Sequence, residues 1–259
     1  MNNTTKAGIA LGCSCIIVLF VVPVVIFVGN DKTEKQPLLL RDLFVMGSNW
    51  NVVEYFYGKE NIEMLEADLM KVKYTKGSYQ DSGGFKLYVA PAPFPTYKMC
   101  LSYEVMFGSS EWIKGGKLPG VWLGDIGASG GKHIETGYTI RFMWRAGGDA
   151  EVYLYISSDQ QNEYLQNIIT NNNYGDSLWR GEFKFAVLEW NTISLCIDGG
   201  KLKVVINSVT KQIYLNLNST IVSGIMMHSF YGGNDETWAP SVDSYIYFRK
   251  FAVTDLVAW

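Results

Sequence analysis

Beyond residue 69 apolar and polar residues alternate along most of the chain, in short runs rich in β-branched and aromatic side chains and separated by glycine. The runs are "LMKVKY", "GFKLYVAP", "YKMCLSYEVMF", "LPGVWLG", "GYTIRFMW", "EVYLYI", "FKFAVL", "WNTISLCI", "KLKVVIN", "KQIYLNL", "SGIMMHSFY" and "SYIYFRKFAV". A period of two sends successive side chains to opposite faces, so each run predicts a strand with one face turned to a core. Such a series predicts an all-β fold of two packed sheets, starting near Leu39. "IDGGKLKVVIN" and "AGGDA" carry the glycine signals of tight hairpins. Two segments, "ENIEMLEADLM" at 60–70 and "DQQNEYLQNII" at 159–169, read equally as short helix or loop.

The stretch "GYTIRFMWRAGGDAEVYLYIS", residues 137–157, resolves into two faces. Tyr138, Ile140, Phe142 and Trp144 share one face with Val152, Leu154 and Ile156, and that face predicts core. The other carries Thr139, Arg141, Met143, Arg145, Glu151, Tyr153, Tyr155 and Ser157. Folding about Gly148 sets Arg145 opposite Glu151, Met143 opposite Tyr153, Arg141 opposite Tyr155 and Thr139 opposite Ser157; a one-residue slip would mix the two faces. The second face reads either as a solvated surface with an Arg145–Glu151 ion pair or as a groove for an acidic sugar chain. In a groove, tyrosine rings would pack on sugar faces and a guanidinium would hold a carboxylate.

The first thirty residues depart from this pattern. After a tail at 1–6, residues 7–29 are uncharged and long enough for a helix to cross a bilayer. This predicts a retained anchor, with 30–38 as a linker and 39–259 as the folded domain. The flanking charges leave orientation undecided. Cys13 and Cys15 lie in the span; Cys100 and Cys196 fall in separate predicted strands, where they either bridge or stay buried as thiols. Asn218 opens a glycosylation triplet. Eight Trp, sixteen Tyr and twenty-six Gly against seven Pro suit strands joined by glycine turns. A net charge of −3 provides no basic field for nucleic acid. With two histidines and no ligand spacing, neither a metal nor another cofactor is expected.

"GGKLPGVWLG", "GYTIRFMWRAGGDAEVYLY", "HSFYGGNDETW" and "SYIYFRKFAV", in that order, resemble polysaccharide lyase family 14, the alginate and glucuronan lyases that include members from large algal viruses. The resemblance covers about residues 80–255 and implies a jelly roll of two antiparallel sheets with the active site in the concave face of one. It places the family's essential lysine on Lys117, its strand Ser-x-Arg on Thr139 and Arg141, and its Tyr-x-Tyr on Tyr153 and Tyr155. Threonine at 139 departs from the family's serine. The implied reaction is β-elimination in a 4-linked uronate: Arg141 would neutralise the C6 carboxylate, while Lys117, Tyr153 and Tyr155 would share the roles of base and acid. Arg145, His228 and Trp238 are further candidates for substrate contact. The competing reading is a non-catalytic jelly roll, single-pass in a membrane, that binds acidic glycans or serves as a structural protein of a virus particle beside its capsid proteins. On either reading the domain would face away from the cytosol or sit on a viral membrane. No strand carries the paired carboxylates a glycosidase would need.

Overall fold

A computed structural model describes residues 38–254 except 111, 113, 172–173 and 218–220. The expected anchor at 7–29, with Cys13 and Cys15, and the Asn218 triplet lie outside the described residues. No helix among the described residues is long and apolar enough to cross a membrane.

Fifteen strands are seen among the described residues: β1 (Val52–Tyr57), β2 (Ile62–Glu66), β3 (Leu69–Tyr74), β4 (Phe85–Val89), β5 (Lys98–Phe107), β6 (Gly115–Gly124), β7 (Gly137–Arg145), β8 (Asp149–Tyr155), β9 (Ile169–Asn171), β10 (Asp176–Lys184), β11 (Trp190–Asp198), β12 (Lys201–Ile206), β13 (Val209–Tyr214), β14 (Val222–Tyr231) and β15 (Ser244–Thr254). One α-helix, α1 (Glu163–Ile168), precedes β9. The strands form two antiparallel sheets, ordered β1-β4-β14-β6-β7-β8-β10-β9 and β13-β12-β11-β5-β15-β3-β2. This is the two-sheet sandwich that the alternation predicted, and it fits a jelly roll.

The sheets meet through one cluster in which Tyr138, Ile140, Phe142, Trp144, Val152, Leu154 and Ile156 of the 137–157 stretch join Leu101, Val105, Leu195 and Phe248. Burying such side chains contributes about 1.5–3 kcal/mol each, which holds β7 and β8 firmly at the centre of their sheet. Every residue of β7 is buried, polar ones included. A second layer of loops therefore covers the face that carries Thr139, Arg141 and Arg145.

Several features differ from the sequence reading or settle what it left open. The β7–β8 register pairs Thr139 with Tyr155, Arg141 with Tyr153 and Met143 with Glu151, two residues from the pairing expected. Gly147 and Gly148 both take left-handed φ, of 70° and 81°, and the turn is centred on Gly147 instead of Gly148, with Trp144 and Ala150 as its closing pair. The shift preserves the two faces because it is even. Residues 62–66 are not helical: β2 pairs with β3 as an outer hairpin whose exposed edge strand lacks clean alternation. β1, another exposed edge strand, was missed for the same reason. The 159–169 segment does contain a helical turn, α1, capped by the Asn162 side chain accepting from the Leu165 N–H.

Cys100 and Cys196 stand directly opposite each other on β5 and β11 and form a disulfide. They close a loop of 96 residues, for which chain-entropy reasoning gives up to about 4.7 kcal/mol, while disulfides typically contribute about 2–4 kcal/mol. Reduction, or the double change Cys100→Ser with Cys196→Ser, should lower the unfolding free energy by about 2–4 kcal/mol and move the urea midpoint down with it. Urea melts with and without reductant would check this, and coincident curves would contradict it.

Candidate active site

The site is built where β14, β6, β7 and β8 run side by side. Lys117 on β6 pairs with Phe230 of β14 on one side and with Met143 of β7 on the other. Thus the lysine that alternation within the 137–157 stretch did not reach lies on the same face as Arg141, Tyr153 and Tyr155. These residues, with Arg145, Lys86 and Trp238, line a cleft of about 290 Å³. Its walls come from loops at both ends of the sheet: Ser129 and Gly130 from one, Gln80 and Gly232–Asn234 from the other.

Arg141 is only 1% exposed, yet its Nε and Nη1 have no hydrogen-bond partner. Its Nη2 donates to the Ser129 Oγ at 3.4 Å, and its guanidinium lies 5.5 Å from the Tyr155 ring centre and 5.9 Å from that of Phe230. Burying charged donors without partners is costly. A carboxylate is the natural group to complete this one, since it accepts two parallel N–H bonds.

Lys117 is 6% exposed, with Nζ in contact with the Met143 sulfur and 3.1 Å from the centre of the Tyr153 ring. Burial, and then the positive charges of Arg141 and Arg145, hold its pKa well below the ordinary lysine value; Glu151 opposes the shift. The side chain is thereby made available as a neutral amine. Tyr153 moves the other way. Burial and Tyr155 push its phenol up, against the pull of Arg145 and Arg141, so it keeps its proton. The cleft thus sets a group that accepts a proton beside one that retains it, which is the separation an acid–base pair needs.

The lysine's depressed pKa also predicts a cost in stability. The unfolded chain binds a proton at this site that the folded chain releases, so stability rises with pH from Lys117's folded pKa up to its unfolded one. Lys117→Met, of similar volume, removes the charge and should raise Tm by a few degrees at neutral pH. Thermal melts of both proteins would show it, and a lowered Tm would contradict it.

The remaining candidates divide. Arg145 is held by the fully buried Glu151 in a diagonal pair, with Nε to Oε1 at 2.8 Å and Nη2 to Oε1 at 2.5 Å. Its guanidinium lies between the rings of Tyr153 and Trp238, at 5.6 and 5.7 Å. Trp238 closes that wall, and a Cβ at Gly233 would fall 2.0 Å from the indole; glycine alone permits this approach. Thr139 shares the face but does not line the cleft: its Oγ1 donates to the Ala128 carbonyl at 3.0 Å. It fixes the loop that supplies Ser129. His228 also lies outside the lining, buried against Tyr88 and Phe56 with ring centres 4.9 and 6.2 Å away. Burial, then Arg141 and Lys86, keep it neutral.

Lys86, Met143 and Phe230 line the cleft but were not among the sequence candidates. Alternation held the signal for Lys86, since "FKLYV" turns Phe85, Leu87 and Val89 to the core and Lys86 away from it. Ser129 and Gly130 sit in an aperiodic loop that offers no comparable signal.

The cleft on one sheet of this antiparallel sandwich is cationic and aromatic, a lining suited to an anionic sugar chain. The family model described as polysaccharide lyase 14 matches residues 63–251, and the chain belongs to that family. Among solved structures, the PL-14 alginate lyase of Aplysia kurodai is 27% identical, with 77% of this chain and 89% of that one covered and a TM-score of 0.66. The alginate lyase vAL-1 of a Chlorella virus is 22% identical over 85% of this chain and 100% of its own, with a TM-score of 0.71. A doubly substituted alginate lyase Aly36B in complex with an alginate tetrasaccharide shares the fold at 19% identity, with 80% of this chain and 88% of that one covered and a TM-score of 0.64. No curated protein matches the chain.

Proposed function

We propose that the protein cleaves 4-linked polyuronate of the alginate or glucuronan type by β-elimination in this cleft. The observation that carries the reading is Arg141, a buried guanidinium with two unpartnered nitrogens beside a lysine held toward its neutral form. Arg141 binds the C6 carboxylate, and neutralising that charge acidifies the proton on C5. Lys117 Nζ takes that proton. The C5–H electrons form the C4=C5 double bond, the C4–O4 bond breaks, and the departing O4 takes the Tyr153 phenolic proton. Transfer of a proton from the Lys117 ammonium to the Tyr153 phenolate restores both groups. Tyr155 packs beside Arg141, Arg145 and Trp238 border the bound chain, and Thr139 acts through the Ala128 loop.

Polymannuronate, polyguluronate and glucuronan, each native and carboxyl-reduced, form the testing panel, with ultraviolet absorbance of the unsaturated product as readout. At least one native polymer should be cut and its carboxyl-reduced form spared. Equal cutting of the two forms, or none of either, overturns the reading. Residues 7–29 would hold this enzyme at a bilayer, with the domain outside the cytosol or on a viral membrane. Extraction by detergent but not by salt would support that anchoring.

A further inference from the structure

A row of side chains crosses the sheet at the level of Lys117. Phe230 pairs with Lys117, Lys117 with Met143 and Met143 with Glu151, spanning β14, β6, β7 and β8. On the next strand the ladder breaks. Leu178 of β10 pairs with Val152 and Phe183 with Ala150, which leaves four residues of β10 opposite the single residue Glu151.

This bulge is built at a conformational cost. Trp179 has a φ of 57° and Gly181 one of 77°, and a left-handed φ on a bulky aromatic residue is unfavourable. Its consequence is to split two neighbouring side chains. Trp179 turns into the main core, with its ring 6.2 Å from that of Phe183. Arg180 turns to the cleft side and reaches Glu151, with Nε 3.6 Å from Oε2. A bulge beside an active site commonly re-aims a side chain in this way.

The chemistry around Glu151 does not require this second arginine. Glu151 already has an ion pair with Arg145 through Oε1, and its Oε2 makes no hydrogen bond. Arg180 approaches that oxygen beyond normal hydrogen-bond range and remains 45% exposed. It is a half-engaged guanidinium at the end of the row. With strands about 4.8 Å apart, β10 lies three spacings from β6, a reach of a few sugar rings from Lys117.

We propose that Arg180 is a carboxylate-binding residue for a uronate unit a few rings from the cleaved bond, held in line with the cleft by Glu151 and the β10 bulge. The proposal rests on the reading of the cleft as a polyuronate site. It adds a contact that acts on binding of long chains and not on the chemical step. A polymer carboxylate would pair with the exposed part of the guanidinium, while the buried Glu151 holds its Nε side at 3.6 Å.

Two variants, Arg180→Gln and Arg180→Lys, test it against uronate oligomers of increasing length and against polymer. In the glutamine variant KM should rise about tenfold for long chains, the loss of one charge-assisted contact. The shortest cleaved oligomer should show no rise, and kcat should stay the same throughout. The lysine variant should recover part of the loss. Retention on immobilised alginate, which requires no turnover, should fall for the glutamine variant, with elution at lower salt. If the native protein cleaves but KM and retention are unchanged in Arg180→Gln, this inference alone fails. If kcat drops equally at every length with a lowered Tm, Arg180 merely neutralises Glu151 and the inference also fails. A native protein that neither cleaves nor is retained would overturn the underlying reading as well.

Discussion

Lys117→Arg should lower kcat/KM by roughly 10²–10⁴-fold, the usual contribution of a positioned general base. The change keeps a long cationic side chain in the cleft but installs a guanidinium that stays protonated at any accessible pH. Binding of the polymer should therefore survive. The pH profile distinguishes loss of the base from general damage. In the native protein activity requires the unprotonated amine, so kcat/KM rises with pH and levels off above the pKa of Lys117. Burial and the neighbouring arginines put that point well below 10.5. On its alkaline side the plateau should hold without a falling limb in the usual tyrosine range, because the Tyr153 phenol is pushed up and keeps the proton it must donate. In Lys117→Arg the rising limb should vanish with the activity. An arginine variant that retained native rates would remove Lys117 from the proton transfer.

Arg141→Ala should cost on the order of 10²–10³-fold in kcat, as removal of one donor to a developing anion does elsewhere. The buried side chain also fills space between the Tyr155 and Phe230 rings, so its loss leaves a cavity as well as an unmatched substrate charge. Two further measurements separate these effects. Arg141→Lys keeps the charge but not the paired N–H geometry, and should recover little of the loss. Added guanidinium ion should restore part of the activity of Arg141→Ala if the cavity is intact. Unchanged turnover in Arg141→Ala, or full activity in Arg141→Lys, would show that the carboxylate is held elsewhere.

The division of the 137–157 stretch into two faces was legible because β7 and β8 pack one face on the core, which forces strict alternation. Its register was not. A hydrophobic pattern of period two specifies pairing only to within an even shift, and the two left-handed glycines at 147 and 148 chose the other even solution. The Arg145–Glu151 pair survived that shift by becoming diagonal. Edge strands were less legible: β1 is mostly exposed on both faces and lacks a consistent apolar face. The β10 bulge left no mark in the sequence beyond an ordinary glycine at 181.

Within the site, residue types and the family resemblance identified Lys117, Arg141, Tyr153 and Tyr155 as a group, and the cleft brings all four together. The split between base and acid could not be read from reference pKa values, which are similar for lysine and tyrosine. Burial separates them. It penalises the charged form of each group, and so drives the lysine toward its neutral base and the phenol toward its neutral acid. Thr139 shows the converse limit. Alternation placed it on the site face, but its hydroxyl is directed to the Ala128 carbonyl of a loop that no periodic pattern describes.

The chemistry of the new chain ends tests the central claim most directly. Digestion of a uronate polymer by the full-length protein, followed by mass spectrometry and ultraviolet absorbance, should give one 4,5-unsaturated end per cleavage and no uptake of water. Fragments that carry an added water and lack the chromophore would mean hydrolysis and contradict the account.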